Sequence, residues 1–539
     1  MFKRFLFSSI LLVLATSACF TQSKYWVVFT DKDGVKFDPF SYFDEKTVNK
    51  RLKNNIPLVS FSDLPIRSDY LDLIGDSYDV TGKSRWLNAV AVNLTKAQKK
   101  EVETYGFVRK VARIGTYSRS CQKNEIEDMD PDIERILDNQ LKIMGGHYFS
   151  GSGVDGTGVR IAIFDGGFPS VDTLSFFRHI REDNRIIATY DFVKDNDFVY
   201  DFNSHGTSVL SCIAGKMKNK NIGLATGAEF LLARTEVSAE IFEEEENWMA
   251  AMEWADKHGA DIINSSLGYT YHRYFPRQMD GESTFVTRAA EMAARKGILV
   301  VNAAGNDGDN SWQVVGAPAD ADSILSVGGI FDETGIHISF SSLGPTFDGR
   351  LKPNVVAHGN VVVAGKKSLK LSYGTSFATP LITGFAACVM QMYPEWDNMK
   401  VYQEIQKSGH LYPYYDYAHG YGIPQAAYFF GKERKKKDVI GLSLKDNKLK
   451  VQLDISSDSI CRGSVSDSLT VLKAYRYNPL ELDKDYLYYH YADEKTGKIR
   501  RYRLVRMEDN DHYEIDLNDL KENELLRIYF NGQVKTFNR

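Results

Sequence analysis

The chain has 539 residues, of which 43% are hydrophobic, and a formal net charge of −5 at pH 7. That length calls for more than one domain and that composition for real apolar cores. With no concentrated basic surface, nucleic-acid binding is excluded as the main task.

In chain order, Lys3 and Arg4 precede an apolar run from Phe5 to Ala15 and small residues through Ala18, the layout of a cleavable secretory signal over residues 1–18. The run is too short to span a bilayer, and no later stretch is long and apolar enough to be a transmembrane segment. Cys19 raises lipid anchoring, but Thr16 stands where such signals prefer Leu, so the reading is secretion or display at the cell surface, with anchoring the lesser option. Cys121, Cys212, Cys388 and Cys461 are too scattered for a disulfide framework, and no close Cys/His pairs point to zinc. Cys212 and Cys388 lie in apolar helical stretches, as buried free thiols do.

KYWVVFT and WLNAVAVNLT alternate apolar and polar residues and read as strands. KAQKKEVETYG reads as a short helix ended by Gly106, and FVRKVARI returns to strand. Residues 24–115 thus make a compact α+β unit. Residues 116–139, polar and acidic, read as an exposed connector.

Between residues 140 and 430 the short apolar runs VRIAIFD, EFLLART, ADIINSSLG, GILVVNAAGN and SILSVGG alternate with helical segments such as ENWMAAMEWADKHG and TFVTRAAEMAARKG. Uniformly apolar strands alternating with helices predict an α/β domain, a parallel sheet with helices on both faces. Chemistry in such sheets gathers at the carboxyl ends of the strands. Lys432 and Arg434 to Lys437 form a solvated linker. From 438 to 539, KLKVQLDIS, SLTVLKAYRY, DYLYYHYA, IRRYRLVRM and LLRIYFNGQVKTF alternate again, with Asn531-Gly532 as a hairpin turn, which predicts an antiparallel β domain.

Three side chains stand at strand ends or helix starts of the α/β region. Asp165 ends VRIAIFD, where an isolated buried charge needs a partner. Four histidines precede a glycine, His205, His258, His358 and His419, and only His205 opens an apolar helical segment, HGTSVLSCIAGK. His258 closes a helix beside its glycine, while His358 and His419 fall in loops. Ser376, in GTSFATP, opens a helix that is apolar all round, with Pro380 near the first turn. The helix start offers free N–H groups to a developing negative charge. Each residue alone has a bland reading as a cap. Together, a hydroxyl, a base and an acid to orient the base are what a serine nucleophile requires. Their order, acid then histidine then serine, excludes the serine-first arrangement built around G-x-S-x-G, since here the motif is Gly374-x-Ser376-x-Ala378.

Residues 140–430 resemble a subtilisin-like serine peptidase, the subtilase family, through VRIAIFDGG, HGTSVLSCIAG, INSSLG, NAAGNDG, FSSLGPTFDGRLKPNVVAHG and GTSFATP in that order. The resemblance implies a secreted endopeptidase, made as a zymogen, that cuts polypeptides through an acyl-enzyme. Asp165 would orient His205, His205 would move the proton and Ser376 would attack. Asn306 would donate to the oxyanion, a role worth about 2.7–4 kcal/mol in subtilisin itself. Ser266, Leu267 and Gly268 would pair with the substrate backbone as an added strand, and Ala303, Ala304 and Gly305 would wall the pocket before the cut. Residues 24–115 resemble the family's ferredoxin-like inhibitory prodomain, a partner of the cleft until it is cut off within 116–139. In place of the usual Ser or Thr, Gly166 follows Asp165, which removes one hydroxyl from the carboxylate; His358 replaces a usual Pro. Lys216, Lys218 and Lys220 occupy the stretch where many members bind calcium, so no metal is expected there, and no cofactor is implied. Two other classes keep the same motifs: a catalytically silent binding protein of this fold, and an esterase or amidase using the same three residues.

Overall fold

The computed structural model describes residues 22–114, 131–218, 220–237, 244–270, 273–365, 368–432, 438–454, 486–507 and 510–538. The signal with Cys19, the connector up to 130 with Cys121, the basic residues 434–437, Cys461 and the strand expected at SLTVLKAYRY lie outside the described residues.

The N-terminal unit is a four-stranded antiparallel sheet of β1 (Ser23–Phe29), β2 (Val80–Ser84), β3 (Ala89–Leu94) and β4 (Val108–Arg113), in the order β2-β3-β1-β4. Helix α1 (Glu45–Lys53) lies before its helices α2 (Ser68–Gly75) and α3 (Lys96–Val102). Alternation decides which side chains face which way. Tyr25, Val27, Val90 and Val92 pack on Ile74 and Val102 of the unit's own helices. Trp26, Val28, Ala89 and Ala91 turn the other way, into a core shared with the α/β domain.

That domain is built on a seven-stranded sheet of β5 (Arg160–Asp165), β6 (Ile186–Asp191), β7 (Glu229–Arg234), β8 (Ile262–Ser265), β9 (Leu299–Ala303), β10 (Leu325–Ile330) and β11 (Val355–His358), ordered β11-β10-β9-β8-β5-β7-β6 and parallel throughout. Both faces are covered, which is why the strand interiors are mainly apolar, with Asn264, Asn302 and Ser326 among the buried exceptions. Along β5, Ile161 and Ile163 enter the core under α4 (His205–Ala214) and α7 (Thr375–Met392). Ala162 and Phe164 enter the opposite core under α5 (Glu244–Lys257) and α6 (Phe285–Arg295). The hairpin β12 (Asn360–Ala364) and β13 (Leu369–Tyr373) then delivers the chain to α7.

Two expectations need correction. His358, expected in a loop, is the last residue of β11 and pairs with Ile330 of β10. Residues 131–139 are not exposed connector: Pro131–Lys142 is a helix that buries Ile133, Ile136 and Leu137 in the α/β core. Its acidic character had hidden an apolar face. Lys220 explains part of that charge, pairing with Glu134 at 2.8 Å and Asp138 at 3.1 Å. At the C-terminus the expected antiparallel β structure is present, as two sheets. β14 (Ile440–Lys445), β15 (Lys448–Leu453) and β18 (His512–Asp516) form the first; β16 (Tyr486–Asp493), β17 (Ile499–Arg506), β19 (Glu524–Phe530) and β20 (Gln533–Asn538) form the second, ordered β17-β16-β19-β20.

The N-terminal unit sits on α5 and α6 through charges as well as apolar area. Glu253, half-buried on α5, accepts from the Ser84 hydroxyl at 2.7 Å and from the amides of Trp86 and Arg85 at 3.1 and 3.2 Å. Lys24 meets Glu246 at 2.8 Å. Deeper still, Arg51 grips Asp63 of its own unit at 3.0 Å and Asp256 of α5 at 2.6 Å, all three only 1% exposed. Lys296 at the end of α6 closes the cluster on Asp63 at 2.5 Å. Two cations and two carboxylates cancel, which makes their joint burial tolerable. Replacing Arg51 by Met in the full chain strips Asp256 of its partner and should cost about 3–5 kcal/mol of docking. Hydrogen exchange should show α5 amides opening far faster than in the parent; unchanged protection would contradict this.

Candidate active site

The carboxyl ends of β5, β8 and β9 lie side by side, since Ser265 is in register with Phe164 on one side and Asn302 on the other. Asp165 ends β5 with no exposed surface. One carboxylate oxygen accepts the Gly166 amide at 2.8 Å, so the backbone supplies a donor where the missing hydroxyl would have been. Both oxygens face Nδ1 of His205, at 3.0 and 2.9 Å. This contact fixes the proton on Nδ1 and leaves the lone pair on Nε2.

His205 is brought there by the start of α4, where Asn203 Oδ1 accepts its backbone N–H at 3.0 Å. Helix and strand end approach so closely that a Cβ on Gly206 would lie 2.4 Å from the Gly167 carbonyl and 2.9 Å from Asp165 Cβ. The turn after Asp165 is held from below by Arg234, which donates to the Gly166 carbonyl at 3.2 Å and pairs with Asp191 at 2.8 Å.

Ser376 is the second residue of α7, and the His205 ring packs 5.2 Å from that of the next residue, Phe377. Its hydroxyl donates to the Ser266 carbonyl at 3.1 Å. Among the described residues no hydrogen bond joins it to His205. Such contacts commonly tighten only with substrate bound. Pro380 has a local part in this. It lacks the N–H that would bond the Ser376 carbonyl one turn back. That carbonyl instead accepts the Ser266 hydroxyl at 2.8 Å, so Ser266 and Ser376 are tied twice.

Asn306 follows β9 and faces the start of α7. Its Oδ1 accepts both the Thr375 N–H, at 2.9 Å, and the Thr375 hydroxyl, at 2.8 Å. With the oxygen so occupied, the amide NH2 is turned outward as a donor, 3.3 Å from where a Cβ on Gly374 would be. Thr375 is the residue that sequence reasoning passed over, although it stands within GTSFATP; the signal was a second hydroxyl beside the nucleophile candidate. Ser266, Leu267 and Gly268 leave β8, and the Cβ position of Gly268 opens onto space free of described atoms within 4 Å. Asn302 donates to the Leu267 carbonyl at 3.0 Å. Ala303 ends β9, Ala304 bonds the Val327 carbonyl at 2.9 Å, and Gly305 accepts from Ser342 N at 2.9 Å. These residues therefore gather at one end of the sheet, at or just after the carboxyl ends of β5, β8 and β9 and at the starts of α4 and α7.

The sequence has relatives among known proteins. The model of the subtilase family of S8 peptidases matches residues 156–422, and that of the Bacteroidota peptidase S8 propeptide domain matches residues 24–129. A thermostable alkaline protease of Halalkalibacterium halodurans is 32% identical over 350 residues, 60% of this chain and 86% of that protein. Subtilisin DY of Bacillus licheniformis is 30% identical over 244 residues, 45% of this chain and 80% of that protein. A solved cold adapted subtilisin-like serine proteinase covers 47% of this chain and 83% of its own, with 24% identity and a TM-score of 0.39.

Gly374 has φ 148° and ψ 152°, a conformation essentially reserved for glycine. Gly374→Ala should lower stability by about 1–3 kcal/mol in denaturant titration and displace the Asn306 amide. A loss below about 0.5 kcal/mol, the range of an ordinary surface substitution, would contradict the strain argument.

Proposed function

This chain belongs to the subtilase family of serine peptidases, and from that premise we propose that it is a secreted endopeptidase in which Ser376 attacks the peptide carbonyl with His205 as base and Asp165 orienting it. The N-terminal unit makes it a zymogen. The observation that carries the proposal is the buried contact of Asp165 with His205 at 2.9 Å, beside a helix start that holds Ser376.

Turning the Ser376 side chain about χ1 exchanges the Ser266 carbonyl for Nε2 of His205. As Oγ bonds to the substrate carbonyl carbon, its proton passes to Nε2, and the Nδ1–H to Asp165 favours the resulting imidazolium. Negative charge collects on the carbonyl oxygen, where the Asn306 amide and the Ser376 N–H would both donate. His205 then returns the proton to the leaving amine. Water, activated by the same imidazole, releases the acyl group and restores the hydroxyl. A substrate strand laid between Ser266–Gly268 and Ala303–Gly305 would be held by main-chain bonds, with selection left to alternate side chains. We further propose domain limits of 1–18 for the signal, 24–115 for the prodomain, 140–430 for the catalytic domain, extended back to residue 131 by its first helix, and 438–539 for the C-terminal region, with release ahead of that helix, inside 116–130.

Ser376→Ala should accumulate as full-length precursor, and the mature parent should cut denatured casein and take up a fluorophosphonate probe. Unaltered processing of the variant would mean that another protease makes the cut. Labelling without casein cleavage would fit an esterase or amidase, and no labelling of mature protein would fit a silent binding scaffold.

A further inference from the structure

A second buried Asp–His pair lies outside the cleft, made by one of the loop histidines. His419 Nδ1 faces Asp416 at 3.0 and 3.1 Å, and both residues are almost fully buried. With its proton on Nδ1, the ring presents a lone pair at Nε2, which accepts the backbone N–H of His337 at 3.0 Å. No serine or cysteine stands at that nitrogen; the acceptor is spent on a loop.

The loop leads to the oxyanion side of the cleft. The His337 ring contacts the Ser341 carbonyl at 2.8 Å. The next residue, Ser342, grips the turn around Asn306 from both sides: its N–H donates to the Gly305 carbonyl at 2.9 Å and its Oγ accepts the Asp307 N–H at 3.1 Å. A Cβ on Gly305 would lie 2.7 Å from that same Oγ, so the two loops fit without slack. Asn306 is thereby placed by Thr375 through its side chain and by Ser342 through its backbone.

The segment bearing the pair is in turn pressed under the C-terminal sheet. Tyr417 accepts the Gly344 N–H on its carbonyl at 2.9 Å and the Ile499 N–H of β17 on its hydroxyl at 3.0 Å. Tyr529 of β19 donates to the His410 carbonyl at 2.6 Å.

We propose that Asp416 and His419 are positioning residues for the Asn306 amide, acting through His337 and Ser342, and that the C-terminal sheet serves catalysis by clamping the segment that carries them. The inference rests on the reading of Asn306 as oxyanion donor.

Asp416→Asn tests it without changing shape. Asp416 Oδ1 accepts the Ala418 and His419 amides at 2.9 and 2.7 Å, so an asparagine keeps its oxygen there and turns its NH2 toward Nδ1. With one of the two oxygens facing Nδ1 replaced by a donor and the charge removed, the Nδ1–H tautomer loses support and the Nε2–H form, which meets the His337 N–H donor to donor, gains population. In the mature protein, kcat per titrated active site for a peptide amide should fall about tenfold with KM within twofold, since small misplacements of catalytic groups cost that much or more. In the Ser342→Ala background the same substitution should cost less on the logarithmic scale, because one of the two bonds it acts through, Oγ to the Asp307 N–H, is already gone. An unchanged kcat per titrated site, a loss confined to KM, or effects that multiply independently would overturn the proposal. Asn306→Ala, measured alongside, separates the two readings: a large loss there with none in Asp416→Asn sinks this inference alone, whereas no loss there sinks the oxyanion assignment.

Discussion

A carboxylate with no exposure to water has to be met by donors on the spot, and at Asp165 they are a backbone amide and an imidazole. That requirement draws β5 and the start of α4 together until only glycine fits at position 206. It also sets the tautomer of His205, and with it the direction in which a lone pair is offered. In the proposed mechanism Ser376 as nucleophile and Asn306 as oxyanion donor work with the nitrogen so presented. The buried helix α7 completes the arrangement by holding Ser376 next to Phe377, whose ring packs on that of His205.

The same economy recurs at each scale. Lost hydrogen bonds are replaced locally: Pro380 frees the Ser376 carbonyl and Ser266 takes it up. Between units, buried charges are matched rather than avoided. Arg51 with Asp63 on one side, and Asp256 with Lys296 on the other, are each neutral, and docking interlocks them without burying net charge. A contact of that kind is compatible with separation, because each half carries its own counter-charge into water. A purely apolar joint of equal size would leave a sticky face on both products.

Much of this was legible in the residues. Apolar strands separated by helices marked the parallel sheet, and the ends of those strands marked Asp165, Ser266 and Asn306. What escaped had a physical reason. The helix Pro131–Lys142 carries an acidic outer face answered by Lys220, and that charge masked Ile133, Ile136 and Leu137. Thr375 looked like a spectator because its task, holding an amide oxygen, depends on a residue far away in the chain. The pairing of Asp416 with His419 is three residues long in sequence, yet its purpose appears only where His337 arrives from another loop. Spacing reports local periodicity; it is silent on which distant backbone group will meet a side chain.

The central claim is that the alcohol of residue 376 leaves its carbonyl partner and engages the imidazole while the Asn306 amide awaits the charge. A crystal structure of the mature protein inactivated with a peptidyl phosphonate tests this most directly. The account expects phosphorus bonded to Ser376 Oγ, His205 Nε2 within hydrogen-bonding reach, and a phosphonyl oxygen accepting from Asn306. Phosphorus on another residue, or an oxygen turned away from Asn306, would contradict it.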